Sequence, residues 1–125
     1  MPSHTYFDQE LHIIRSDFQG EVTEQDILKC AGTIACLHKE KGVRLVLSNT
    51  TNITVMPGVS SIFAAINMFE ELGLERIVRE ATIVRPGFES SAEMVFFKTT
   101  CMNRGYITEF FPDEASALEW LMKHK

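Results

Sequence analysis

Apolar and polar positions follow two different periods along the chain, and their order predicts an α/β domain. Residues 43–47 are apolar except for Arg44, which is typical of a strand covered on both faces. After Pro57 and Gly58, apolar side chains recur at helical spacing and predict an amphipathic helix. They are Ile62, Ala65, Ile66, Phe69 and Leu72. Between these elements, residues 48–52 are all Ser, Thr or Asn, and we predict a polar turn there.

The rest of the chain extends this pattern in both directions. Residues 5–7 and 11–18 predict two strands in an antiparallel hairpin, and a helix capped by Thr23 and ended by Gly42 follows. Residues 81–84 and 106–111 predict two more strands, each followed by a helix. Alternation of this kind predicts a mixed sheet whose later strands are parallel and joined by right-handed crossovers. We expect a single domain over residues 1–125.

Composition narrows the functional classes. The chain of 125 residues has 12 Lys and Arg against 17 Asp and Glu, a net charge of −5, and its cations are scattered, so we expect no nucleic-acid partner. No apolar run approaches the roughly 20 residues that a membrane span needs, and the N-terminus lacks a signal pattern. Cys30, Cys36 and Cys101 lack C-x-x-C spacing. We interpret them as small buried thiols in a reducing compartment and expect a cytoplasmic protein.

The groups required for catalysis are not visible in the sequence. There is no G-x-S-x-G elbow and no glycine-rich phosphate loop. The four His and three Cys residues lack the spacing of metal ligands. Neighbouring carboxylates such as Glu70 and Glu71 do not face each other on a helix. We therefore predict a protein that is not an enzyme and that has no metal site and no cofactor.

Two stretches resemble a known family. FFPDEASALEWL, residues 110–121, is similar to the ending of SpoIIAA-like domains, where a strand ending in Phe meets an Asp-capped helix that carries Ala and then Trp-Leu. RLVLSNTTNITVMPGVSSIFAAI, residues 44–66, resembles the strand, turn and helix at the regulatory site of anti-sigma-factor antagonists and related STAS domains. The resemblance covers nearly the whole chain and implies a STAS-like fold. In such a fold we expect Trp120 to be largely buried near Phe111.

One departure from the family concerns the start of the second helix. Antagonists of the signalling type carry Asp-Ser-Ser-Gly or a close variant there, and one of those serines takes phosphate. Against that motif this chain has Pro57, Gly58, Val59 and Ser60, so Val59 falls at the phosphoacceptor position. The hydroxyl of Ser60 points about 100° away around the helix, and a role in satisfying first-turn backbone groups is the favoured interpretation. The resemblance therefore implies a regulatory module without the usual phosphoacceptor.

The sequence leaves two functions open. The first is a non-catalytic STAS-like interaction module that has a protein partner or associates with itself, for example as a homodimer. The alternative is a protein that binds a small apolar or amphipathic ligand. Carboxyl ends of parallel strands converge on one edge of a sheet, and we expect binding there. The candidate binding residues are Ser48, Asn49, Thr50, Asn52, Pro57, Gly58, Ser60 and Pro86.

Overall fold

The computed structural model describes residues 3–125, and these form a five-stranded mixed sheet flanked by helices. The strands lie side by side in sequence order; the first pair is antiparallel and the later pairs are parallel. The predicted hairpin, the alternation of helices and strands and the α/β class are confirmed. The elements are β1 (Ser3–Asp8), β2 (Ile13–Glu21), α1 (Glu24–Lys41), β3 (Leu45–Val55), α2 (Val59–Glu71), β4 (Arg79–Ile83), α3 (Ala92–Asn103), β5 (Ile107–Phe111) and α4 (Glu114–Lys123).

Capping residues set the ends of the helices where the sequence predicts them. Thr23 and Asp26 form a complete capping box at the start of α1, in which each residue's side chain accepts a hydrogen bond from the other's backbone N–H. Gly42 ends α1 with φ 67°, a left-handed conformation that glycine adopts without strain. The Asp113 carboxylate accepts a hydrogen bond from the backbone N–H of Ser116 at 2.8 Å and begins α4.

The sheet separates two apolar layers. Helices α1, α2 and α3 cover one face, where Ile14 and Val46 are buried. Helix α4 covers the other face, where Ile13 and Leu47 are buried. Neighbouring residues of a strand point to opposite faces, so the central strands β2 and β3 bury side chains in both layers. The apolar run of residues 43–47 reflects this burial on both sides.

The polar turn predicted over residues 48–52 is wrong, because these residues lie inside β3. Adjacent strand β4 supplies the hydrogen-bond partners that buried polar side chains need. The Ser48 hydroxyl donates to the Glu80 carboxylate at 2.7 Å, and the Thr50 hydroxyl donates to the main-chain oxygen of Ile83 at 2.7 Å. With those partners in place, Ser and Thr remain extended in the sheet. The preference of such residues for turns holds where their partners are local.

Two expectations about single side chains also need correction. Trp120 packs against Phe111 as expected, with ring centroids 5.6 Å apart, but it is only partly buried, since the α4 positions that are fully buried are Ala117 and Leu121. Cys30 and Cys101 are buried as interpreted, whereas Cys36 is exposed on the outer side of α1 and donates to a carboxylate one helical turn away.

Candidate functional site

A cavity of about 80 Å³ lies between the sheet and helices α1, α2 and α3. Its wall is mostly apolar and includes Phe18, Ile34, Met56, Ile62, Phe69, Met94 and Phe97. On the sheet side it is lined by four polar residues, Ser48, Thr50, Glu80 and Thr82, which we call the polar floor. The cavity thus combines an apolar wall with a compact group of oxygen atoms.

Strand register brings most of these polar side chains together. Ser16, Ser48 and Thr82 occupy one row across β2, β3 and β4. Glu80 pairs with Thr108 of β5 in the adjacent row. Residues paired across neighbouring strands point to the same face, so both rows face helices α1–α3. These two rows of polar side chains therefore arise from strand pairing between segments that are far apart in the sequence.

Glu80 is the ionisable centre of the polar floor. Among the described residues, its carboxyl group has one hydrogen-bond partner, the Ser48 hydroxyl at 2.7 Å. Burial raises the pKa of Glu80 from 4.5 to about 6, because desolvation penalises the charged form, while the Ser48 hydrogen bond acts in the opposite direction. Its side chain retains some accessible surface where it lines the cavity. At neutral pH the group is therefore largely ionised, and the structure pairs it with no cation among residues 3–125.

Two buried hydroxyl groups beside Glu80 have no hydrogen-bond partner among the described residues, Thr82 Oγ1 and Thr108 Oγ1. Thr82 lines the main cavity, whereas Thr108 lines a neighbouring space of about 20 Å³ that Glu80 also borders. A buried hydroxyl without a partner costs about 1–3 kcal/mol, so the polar floor carries hydrogen-bonding capacity that the protein itself does not use.

The eight residues predicted from the sequence do not form one site. Ser48 and Thr50 belong to the polar floor. Asn49 and Asn52 line a separate polar depression of about 210 Å³ beside β2. Gly58 and Ser60 are exposed at the start of α2 next to the partly exposed Pro57, and Pro86 is exposed beyond the end of β4. Within β3, alternation separates Asn49 from Ser48 and Thr50, and a register shift against β2 groups Asn52 with Asn49. The other four residues lie outside β3.

Glu80 and Thr82 were not predicted as site residues. Glu80 lies between a charged segment, residues 75–79, whose composition predicts exposure, and the strand predicted over residues 81–84. The sequence does hold one signal for these two residues. Glu80 and Thr82 are two positions apart, and residues with that spacing lie on the same face of a strand. Among residues 3–125 no group of three His, Cys, Asp or Glu side chains is placed to hold a metal ion. No helix in the same range is long and apolar enough to cross a membrane.

The structure is similar to solved proteins, although no family model and no curated protein sequence matches the chain. An uncharacterised protein of the DUF3478 family from Shewanella loihica PV-4, with a SpoIIAA-like fold, aligns with a TM-score of 0.63 and 16% identity over 95% of this chain and 91% of that one. The anti-sigma factor antagonist SpoIIAA in its unphosphorylated form aligns with a TM-score of 0.56 and 12% identity over 96% of this chain and 97% of that one.

The phosphorylated form of SpoIIAA, the Bacillus cell fate determinant, gives a TM-score of 0.55 with 13% identity over 94% of this chain and 97% of that one. These likenesses cover nearly the full length of each protein, and they show the fold: this chain has the SpoIIAA-like fold. The resemblance noted in the sequence is confirmed at the level of the fold.

Proposed function

We propose that this STAS-like domain is a non-catalytic regulatory module that binds a small, mostly apolar molecule in the cavity between the sheet and helices α1–α3. The observation that supports the proposal is an apolar cavity with a buried carboxyl group and an unpaired hydroxyl on one side. Protein interiors are normally close-packed and their polar groups are normally paired. A ligand with an apolar body and one polar group would fill the space and pair the oxygen atoms at the same time.

The size of the cavity limits the ligand. An apolar cavity of about 150 Å³ is known to accept benzene, so about 80 Å³ suits about three non-hydrogen atoms, either a very small molecule or the end of a larger one. Met56 and Met94 are flexible parts of the wall and can adapt to a longer chain. Phe18, Met56 and Phe97 are only partly buried, so the route from solvent is expected to pass between them.

The chemistry of the cavity favours binding over catalysis. Besides Glu80, the titratable group that lines it is the Cys30 thiol. Burial raises the pKa of Cys30 to about 11, so the thiol is neutral at physiological pH and a poor nucleophile. Its hydrogen-bond contact is the Ser16 hydroxyl at 3.2 Å, and the nearby negative charge of Glu80 disfavours the thiolate further. The cavity therefore holds no activated nucleophile of the kind that covalent catalysis requires.

Helix α2 offers a route from ligand binding to the protein surface. Its inner side contributes Ile62 and Phe69 to the cavity wall. Its outer side carries Val59 and Phe63, which are 41% and 43% exposed. SpoIIAA, an anti-sigma factor antagonist, exists in phosphorylated and unphosphorylated forms. In this chain the sequence resemblance assigns Val59 to the phosphoacceptor position, and Val59 has no hydroxyl. We propose that ligand occupancy replaces phosphorylation as the signal in this chain.

A protein partner is the second candidate. The exposed apolar side chains of Val55, Val59 and Phe63 flank Gly58 and Ser60 at the start of α2. Apolar side chains grouped beside a helix start favour contact with another protein. In this view the affinity of the protein partner depends on the position of α2. Ligand binding in the cavity and partner binding at α2 are then two coupled functions of one module.

The cavity can be tested by filling it from α2. Ala65 lines the cavity, whereas the neighbouring Ala64 does not, and both are partly buried. We expect Ala65→Leu to abolish retention of a ligand in native mass spectrometry and binding of small amphipathic fragments in an NMR titration. The matched control Ala64→Leu should retain both. If Ala65→Leu binds as the wild type does, or if the wild type binds no fragment, the proposed function is wrong.

A further inference from the structure

We propose that the cavity ligand is a small primary amine, held as an ammonium ion by Glu80 and Thr82 with its apolar part against the aromatic and methionine side chains of the wall. This inference rests on the proposed function and names the chemical class of the ligand. It follows from the hydrogen-bonding capacity of the polar floor, from its charge and from the volume above it.

The polar floor has more free acceptors than free donors. The single donor of Ser48 is already used by Glu80 Oε2, at 2.7 Å. The Thr50 donor is used by the main-chain oxygen of Ile83. The second carboxylate oxygen of Glu80 and the Thr82 hydroxyl remain unpaired among the described residues. An ammonium group carries three donors and no acceptor, and is therefore the complement of this arrangement.

Charge distinguishes an amine from a neutral ligand. A buried carboxylate without a cation is unfavourable, and the structure provides Glu80 with no salt bridge among residues 3–125. An ammonium ion supplies the missing charge together with a charge-assisted hydrogen bond, which is about twice as strong as a neutral one. An alcohol would supply the hydrogen bond alone. A ligand carboxylate would be repelled by Glu80.

The expected protonation states allow a pH test. The other titratable groups around Glu80 are the thiols of Cys30 on α1 and Cys101 on α3 and the Tyr106 phenol, which lines the smaller space that Glu80 borders. Burial raises the pKa of all three, so they remain neutral at neutral pH. The pKa of Glu80 is about 6. Binding of an amine should therefore be constant between about pH 7 and about pH 9, where both Glu80 and the ammonium group are charged. It should weaken about tenfold per pH unit well below 6, as Glu80 takes up a proton.

The test uses three probes of about the same size, n-propylamine, n-propanol and propionate, in NMR titrations of the full chain at about pH 7.5. We expect the amine to bind at least about tenfold more tightly than the alcohol, and propionate not to bind. Glu80→Gln should weaken amine binding about tenfold or more and leave alcohol binding within about twofold. Thr82→Val should weaken amine binding less. Glu71→Gln, at an exposed position on α2, is the control and should change nothing.

The outcomes separate the ligand class from the site. If the alcohol binds as tightly as the amine, and Glu80→Gln leaves both unchanged, the amine assignment is wrong while the cavity remains a ligand site. If the affinity for the amine does not decrease when the pH is lowered below 6, the proposed contact with ionised Glu80 is likewise wrong. If none of the three probes binds and no fragment does either, both this inference and the proposed function fail.

Discussion

Replacing Glu80 with Gln tests whether the buried carboxyl group destabilises the protein at neutral pH. Burial raises the pKa of Glu80 from 4.5 to about 6, although the Ser48 hydroxyl favours the charged form by donating a hydrogen bond to it. Glutamine has nearly the same shape and still accepts the Ser48 hydrogen bond, but it never ionises. We therefore expect Glu80→Gln to increase the free energy of unfolding at about pH 7.5.

The size of the gain follows from the difference in pKa. A rise from 4.5 to about 6 is about 1.5 pKa units, and each unit corresponds to about 1.4 kcal/mol, so ionised Glu80 costs the folded state about 2 kcal/mol. The cost is fully present above the folded-state pKa of about 6. It fades as the pH falls towards the unfolded-state value of 4.5, because the group then becomes neutral in both states. The gain from Gln should therefore be about 2 kcal/mol at about pH 7.5 and near zero at about pH 4.

Urea titrations of the two proteins across this pH range measure the gain. The difference between them at each pH cancels the contributions of other titrating groups that both proteins share. Glu71→Gln, which removes an exposed charge, should show no such pH dependence. A loss of stability at about pH 7.5, or a gain of the same size at about pH 4, would show that Glu80 is not a buried, unfavourably ionised group.

Four further substitutions have expected effects that urea titration can measure. Ser48→Ala should cost about 1.5–3 kcal/mol at about pH 7.5 and less at about pH 4, because it removes the hydrogen bond that ionised Glu80 accepts; equal losses would contradict this. Thr82→Val should be neutral or stabilising by about 1 kcal/mol, because the Thr82 hydroxyl is unpaired among the described residues. Thr50→Val should cost about 1–3 kcal/mol, because it removes a hydrogen bond to the main-chain oxygen of Ile83. The reverse order would contradict the hydrogen-bond assignment. Trp120→Ala should cost about 1–3 kcal/mol, below the roughly 3–5 kcal/mol of a fully buried aromatic side chain, and a larger loss would contradict its partial exposure.

The fold could be predicted largely from local signals. Thr23 and Asp113 are cap residues whose side chains bond backbone groups three residues away, and Gly42 supplies a left-handed conformation at a helix end. Such interactions lie within a few residues of sequence, so residue type and spacing reveal them. The order of the elements then predicts the class, because a hairpin followed by alternating helices and strands has few compact arrangements.

The site could be predicted only in part, because strand pairing creates it. Ser48 was predicted as a binding residue because it was placed in a turn. It belongs to the polar floor for a different reason, since it lies in β3 and donates a hydrogen bond to a residue 32 positions away. Glu80 directly follows a charged segment, residues 75–79, that predicts exposure. Only the pairing of β4 between β3 and β5 brings its carboxyl group under the helices. A single sequence does not contain that register in any local pattern.

Local and global preferences agree through most of this domain and conflict at the polar floor. There burial disfavours the ionised form of Glu80, and the buried Thr82 hydroxyl has no hydrogen-bond partner among the described residues. Natural proteins keep such conflicts mainly where function requires them. The double variant Glu80→Gln with Thr82→Val should therefore be more stable than the wild type at about pH 7.5 and should no longer bind n-propylamine. The two gains need not add, because the residues are neighbours on one face of β4. Urea titration and an NMR titration of the same sample measure both effects. A double variant that is less stable than the wild type would show that these polar groups support the fold itself, and that their cost gives no reason to infer a ligand.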